Sequence, residues 1–147
     1  MAIYNRILVA YNGAAESRAA LEEAARLAKE PGVEVHVAAV MNTAAYLVAG
    51  EYVPEMTLAT GREELEGDVK EVETALAARG LRVTSHLVIG EPVDVIARLA
   101  ESLKIDLLVI GHSRAKSFAM RWWRGSVETM LIERVRCSIL IAADPKG

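Results

Sequence analysis

Apolar residues in this chain fall into short continuous runs, and between the runs they recur at the spacing of a helix face. Arg6 to Tyr11 reads Arg-Ile-Leu-Val-Ala-Tyr and is closed by the turn pair Asn12-Gly13, which predicts a first strand. Leu21, Ala24, Ala25 and Ala28 then repeat with helical period until Pro31-Gly32 stops them. Val33 to Met41 is a second strand. Residues 42 to 60 hold no period, being interrupted by Tyr46, Gly50, Tyr52 and Pro54, and are expected to form a loop with a short helical turn. From Glu63 the period returns: Leu65, Val69, Val72 and Leu76 make one stripe, ended by Gly80. Leu81 to Ile89 is a third strand. Gly90-Glu91-Pro92 opens the next helix, with Pro92 suited to its first turn and Val93, Ile96, Ala97 and Ala100 on its buried face. Asp106 to Gly111 is apolar almost throughout, as strands covered on both faces are. A Gly125–Val135 helix burying Val127, Met130, Leu131 and Val135, and a strand from Arg136 to Ala143, complete the pattern.

Five strands joined by four crossovers imply an α/β fold, a single domain over residues 1–147 built on one parallel sheet with helices on both faces; a doubly wound sheet of order 3-2-1-4-5 is the expected arrangement. In such a sheet the ligand crevice lies beyond the carboxyl ends of the strands, where the strand order reverses. Here that point falls between the first and fourth strands, with Ala10 to Gly13 on one side and Gly111 to Arg114 on the other.

The candidate chemistry sits at the same place. Val-Ile-Gly111-His-Ser-Arg114 is followed by ten residues and then by Gly125-Ser126-Val127. A glycine after a buried strand and a Gly-Ser pair opening a helix form an arrangement that holds phosphate. Small residues let backbone N–H groups reach the anion, and the helix N-terminus adds its dipole. The rest of the composition sets bounds. At 147 residues, 52% hydrophobic and 25% charged, the chain can bury its own core. A net charge of −3 excludes nucleic-acid or anionic-membrane binding driven by bulk charge. The single cysteine, Cys137, excludes an internal disulfide and a cysteine-based zinc cluster, and fits a reducing cytoplasm. Its apolar neighbours predict a structural thiol in a buried strand. The N-terminal residues lack a signal-peptide layout, and no apolar run reaches the roughly 20 residues that span a bilayer. A soluble cytoplasmic protein is expected.

Arg6-Ile-Leu-Val-Ala-Tyr-Asn-Gly, Gly90-Glu-Pro, Asp106-Leu-Leu-Val-Ile-Gly-His-Ser, Gly125-Ser-Val-Glu and the strand after Arg136-Cys occur in the order and spacing of one family. Through them the chain resembles the universal stress proteins over nearly its whole length. The resemblance implies a doubly wound domain that dimerises, often through the last strand, and that in some members binds ATP or AMP. Binders carry G-x2-G-x9-G followed by Ser or Thr. Gly111 fits the first glycine and Gly125-Ser126 the closing pair, with Val127 after them. Arg114 stands at the second glycine, and the spacer holds ten residues in place of nine. Asn12 replaces the acidic residue that binders use, and it hydrogen-bonds without bringing charge. Val40 corresponds to the apolar contact for adenine, and Ala10 completes the base and ribose side. The implied cofactor is ATP or AMP, with or without Mg²⁺.

Arg114 can be read in two ways. It fills the phosphate space and abolishes the site, or the longer loop moves it to clamp phosphates bidentately. Lys116, Arg121 and Arg124 add positive charge to the same segment. His112 lies at the mouth of the crevice without an evident carboxylate partner, so it is not expected to be catalytic. His36 and His86 fall inside strand patterns as packing or surface residues, with no metal-site spacing. Trp122-Trp123 is expected to contact a partner chain, although aromatics between arginines also stack on bases. Tyr46, Tyr52 and Met56 either cover the crevice or pack on a dimer mate. No G-x4-G-K-[ST] sequence supports P-loop chemistry. Glu22, Glu23, Glu63, Glu64, Glu66 and Asp68 lie on exposed helix faces, so no paired acid/base set emerges. A receiver-type signalling site is excluded by Tyr11-Asn12 and Ile89-Gly90-Glu91 at the positions its acids would take. The expected function is a homodimeric, adenine-nucleotide-binding stress regulator with at most slow turnover and no nucleic-acid or membrane partner. The alternative is an interaction protein of the same fold that binds no nucleotide.

Overall fold

The computed structural model describes residues 2–13, 15–41, 55–112 and 127–143. Its elements, in order, are β1 (Arg6–Tyr11), α1 (Ala15–Leu27), β2 (Glu34–Met41), α2 (Glu55–Ala78), β3 (Arg82–Ile89), α3 (Pro92–Ser102), β4 (Leu107–His112), α4 (Val127–Arg134) and β5 (Ser138–Ala143). The five strands form a parallel sheet in the order β3-β2-β1-β4-β5.

Strand alternation explains why the runs are apolar throughout. Ile7, Val9 and Tyr11 of β1, Val35, Val37 and Ala39 of β2, and Leu107 and Val109 of β4 face one core with α1 and α2. Leu8, Ala10, Ala38, Val40, Leu108 and Ile110 face a second core with Val93, Ile96 and Ala100 of α3 and Leu131 of α4. Each central strand therefore buries both faces, from Ile7 to Tyr11, Val35 to Met41 and Leu107 to Gly111, and is open to solvent only at an end residue. The buried stripe of α1 is small, with Ala20, Ala24 and Ala25 beside Leu21, so its backbone comes close to the sheet.

Local signals fix the helix starts. Glu91 caps α3, its carboxylate accepting from Val93 N at 3.3 Å and Asp94 N at 2.9 Å, and Pro92 occupies the first turn. A cap of this kind contributes about 1 kcal/mol. At the amino ends of the strands, Asp106 accepts from Asn5 N at 2.8 Å and Arg6 N at 2.9 Å, while Arg6 Nε donates to Leu103 O at 2.7 Å. This end of the β1–β4 pair is fastened by charge-assisted bonds.

Three sequence expectations change. Residues 55–60, expected to be loop, are the first turns of α2. The interrupting residues Gly50, Tyr52 and Pro54 all precede Glu55, and a proline just ahead of a helix is a start signal. Met130 was expected on the buried face of α4 but is 45% exposed, whereas its neighbour Leu131 is fully buried. Cys137 precedes β5 and is half-buried; burial, as the largest cause, raises its thiol above the ordinary value. That suits a structural thiol rather than a nucleophile. Among the described residues no helix is long and apolar enough to cross a membrane.

Candidate functional site

The β1–β2 ladder continues to Tyr11↔Ala39 and the β4–β5 ladder to His112↔Ala143, yet the β1–β4 ladder ends at Val9↔Val109. The two central strands thus part before their outer pairings finish. The unpaired stretch lies at their carboxyl ends, at the reversal point of the strand order, where an open α/β sheet offers a ligand its crevice. Asn12 and Gly13 form one lip, and Gly111 and His112 the other.

Helix α1 rises directly from the first lip. A Cβ added to Gly111 would stand 1.8 Å from Glu16 O, 2.3 Å from Glu16 C and 2.9 Å from Ser17 N. Only glycine permits this meeting of two backbones. The sequence predicts a close approach at Gly111 to ribose or phosphate; the described close approach is by the first turn of α1. Asn12 N donates to Ser17 Oγ at 3.4 Å, and Ser17 is fully buried. The Asn12 side-chain Nδ2 is shielded from solvent. Gly13 turns the chain with φ +87°, and Asp68 Oδ2 of α2 lies 3.6 Å from where its Cβ would be. A carboxylate therefore does reach this lip, carried by α2 rather than by β1. Tyr11, behind the turn, has its hydroxyl raised above the ordinary value mainly by burial, against the opposing charge of Arg18. It stays a neutral phenol near neutral pH. His112 is exposed.

The other expected site residues divide into two groups. Ala10 and Val40 end β1 and β2 on the α3 side and are 0% and 1% exposed, so both belong to the second core beneath the crevice. Val127 opens α4. Arg114, Gly125 and Ser126 lie outside the described residues, as do Lys116, Arg121, Trp122, Trp123, Arg124, Tyr46 and Tyr52. The structure therefore brings together Ala10, Asn12 and Gly111 at the ends of the two central strands.

Glu16 and Ser17 were not singled out from the sequence, and Asp68, expected on an exposed helix face, is half-buried beside Gly13. Glu16 and Ser17 carried a usable signal, an acid and a hydroxyl in the first helical turn after Asn12-Gly13. Asp68 carried none, since its place depends on how α2 crosses the sheet. No group of three or more histidine, cysteine or acidic side chains suited to a metal ion occurs among the described residues.

Comparison with known proteins agrees with this architecture. The model of the universal stress protein family matches residues 3–143. Universal stress protein YxiE of Bacillus subtilis is 31% identical over 95% of this chain and 99% of its own. Universal stress protein MJ0531 of Methanocaldococcus jannaschii is 27% identical over 98% of this chain and 85% of its own. Among solved structures, hypothetical protein MJ0577 superposes with a TM-score of 0.79 at 18% identity, covering 99% of each chain. A universal stress protein in complex with cAMP gives 0.68 at 24% identity, covering 96% of this chain and 98% of that one. A family protein from Arabidopsis thaliana with AMP bound gives 0.62 at 14% identity, covering 95% and 91%. At these identities the structures speak for the fold alone. With the family model spanning nearly the whole length and a 31%-identical full-length relative, the chain belongs to the universal stress protein family.

Proposed function

We propose that this chain binds an adenine nucleotide in the crevice between the carboxyl ends of β1 and β4 and acts as a homodimeric regulator in a stress response. The observation that carries this reading is the early end of the β1–β4 ladder at Val9↔Val109, at the order-reversal point. The cAMP and AMP seen on two structural neighbours add support. In this reading Ala10, Asn12 and Val40 serve the base and ribose side. Gly111, Arg114, Gly125, Ser126 and Val127 serve the phosphates, with α4 directing its N-terminus toward them. Bound nucleotide would alter the surface of segment 112–124 and so what the dimer presents to a partner. No tuned acid/base pair or activated nucleophile appears at the crevice among the described residues, so turnover is expected to be slow. The reading takes the chain as one domain working in the cytoplasm.

A second reading, an interaction protein without nucleotide, draws on one specific observation. Ala10 and Val40 are fully buried, and Gly111 is already occupied in packing against α1. Mass spectrometry of small molecules released from freshly purified, denatured protein separates the two, backed by calorimetric titration with ATP and Mg²⁺. Recovery of nucleotide near one per chain is expected, and Ser126→Trp should abolish binding while the protein stays dimeric. An empty protein that ignores added nucleotide overturns the first reading in favour of the second.

The proposed dimer uses β5. It is an end strand of the sheet, and its Ile141 is 44% exposed, which leaves apolar surface on the strand. Ile141→Lys should convert the dimer to monomer in sedimentation velocity. An Ile141→Lys protein that sediments as the parent dimer removes β5 from the interface.

A further inference from the structure

A polar chain crosses the sheet away from the crevice, from β1 through β2 to the end strand β3. Arg6 Nη1 donates to Glu34 Oε2 at 3.2 Å, and Glu34 Oε1 lies 3.2 Å from His36 Nε2. His36 Nδ1 is in turn 3.0 Å from His86 Nε2. The two rings stack with centroids 5.3 Å apart and planes 26° apart, and His36 is only 6% exposed. The registers Arg6↔Glu34 and Ala38↔His86 put all four side chains on the face that carries α3.

The N···N contact has room for one proton. With Glu34 ionised, His36 donates from Nε2 to the carboxylate, and its Nδ1 accepts from Nε2–H of His86. If one proton is added, the bond survives in either direction, and Glu34 offsets the new charge. A second proton leaves two N–H groups facing each other across 3.0 Å, on two stacked cations. Glu34 is already shared with Arg6 and cannot balance both.

We propose that His36 and His86 form an acid-operated latch between β2 and β3, closed with no added proton or one and opened by the second. The surroundings offer no substitute counter-charge among the described residues. On β3 the neighbour of Glu34 is another cation, Arg82. Helix α3 packs on β2 and buries Val93, Ile96 and Ala100, while its Asp94 is held by Arg134 at 2.7 Å and its Arg98 and Glu101 are exposed. Helix α2 covers the opposite face through Val69 and Leu76. Burial first, and the His36 ring second, lower the proton affinity of His86 below the ordinary imidazole value. The sign follows from that direction. Stability from this group is fully present above about pH 6.5 and is lost as pH falls through the lower folded value. Because β3 pairs with β2 alone, opening disrupts a single ladder.

Hydrogen exchange read as protection factors near pH 7.5 and again at about pH 5 tests the latch. Amides of β3 should lose protection relative to β1 by up to about tenfold for each pH unit between about pH 6.5 and the lower folded value. His86→Gln keeps an N–H donor for His36 Nδ1 but cannot be charged, so its β3 protection should be the same at both values. Uniform protection in the parent, or equal loss in His86→Gln, overturns the proposal. Should that variant not fold, NMR titration of the imidazoles in the unmodified chain decides. Two separated, coupled protonation steps support the latch, and two independent titrations at the ordinary value overturn it.

Discussion

Gly111→Ala is expected to destabilise the chain by about 3 kcal/mol or more, a large share of what holds an ordinary domain folded. The added methyl would stand 1.8 Å from Glu16 O, a backbone atom in the first turn of α1 rather than the yielding end of a side chain. Relief requires α1 to lift from β4. Its buried stripe of Ala20, Leu21, Ala24 and Ala25 is packed at the close distance that small residues allow, so lifting would open a gap along the helix. Urea unfolding should show a lower midpoint with an unchanged slope. Gly67→Ala is the natural control, since nothing lies within 4 Å of its would-be Cβ inside α2. That change should be neutral or stabilising by up to about 1 kcal/mol. A loss below about 1 kcal/mol for Gly111→Ala would mean that α1 is not held against β4 as described.

Leu131→Ala should cost about 2–5 kcal/mol, the range for emptying a buried leucine site. Leu131 is 0% exposed and sits in the second core with Leu108, Ile110 and Ile96, while its neighbours Met130 and Ile132 are 45% and 56% exposed. Along the described part of α4 it is the side chain that seats the helix most deeply. Under the nucleotide-binding reading the loss is double, because α4 would also be released from its aim at the phosphates. Thermal unfolding with and without ATP separates the effects: the apo transition should fall, and the nucleotide-induced rise should shrink as well. An apo transition within about 2 °C of the parent would show that α4 is anchored by residues other than Leu131.

The strands and both cores were legible because the relevant signals are local and redundant. Ile7 to Tyr11 and Leu107 to Ile110 alternate between two apolar faces, so their runs admit helices above and below. Gly13, Gly80 and Pro92 punctuate the elements at their true ends. The beginning of α2 was missed because Pro54 resembles an interruption until the helix behind it is known. At the site, Asn12 and Gly111 were legible from strand ends and topology. The partner of Gly111 was not, since the approach of Glu16 depends on the depth to which an alanine-faced helix settles on the sheet. The carboxylate of Asp68 was hidden for a related reason, being 55 residues further along the chain than Gly13. The contact of His36 with His86 depends on register, which a strand pattern by itself leaves undetermined.

The Asp106 clamp on Asn5 and Arg6 closes the amino end of the β1–β4 pair, whereas the carboxyl end has no ladder beyond Val9↔Val109. The pair is therefore stiff at one end and compliant at the other. A molecule wedged into the compliant end would spread the strand tips without sliding their register. Conversely, tip residues other than Gly111, which is locked against α1, can be exchanged over evolutionary time without unfastening the fold. Gain or loss of a ligand in such a lineage is then a change of a few tip residues on a scaffold whose strand pairing is fastened at the opposite end.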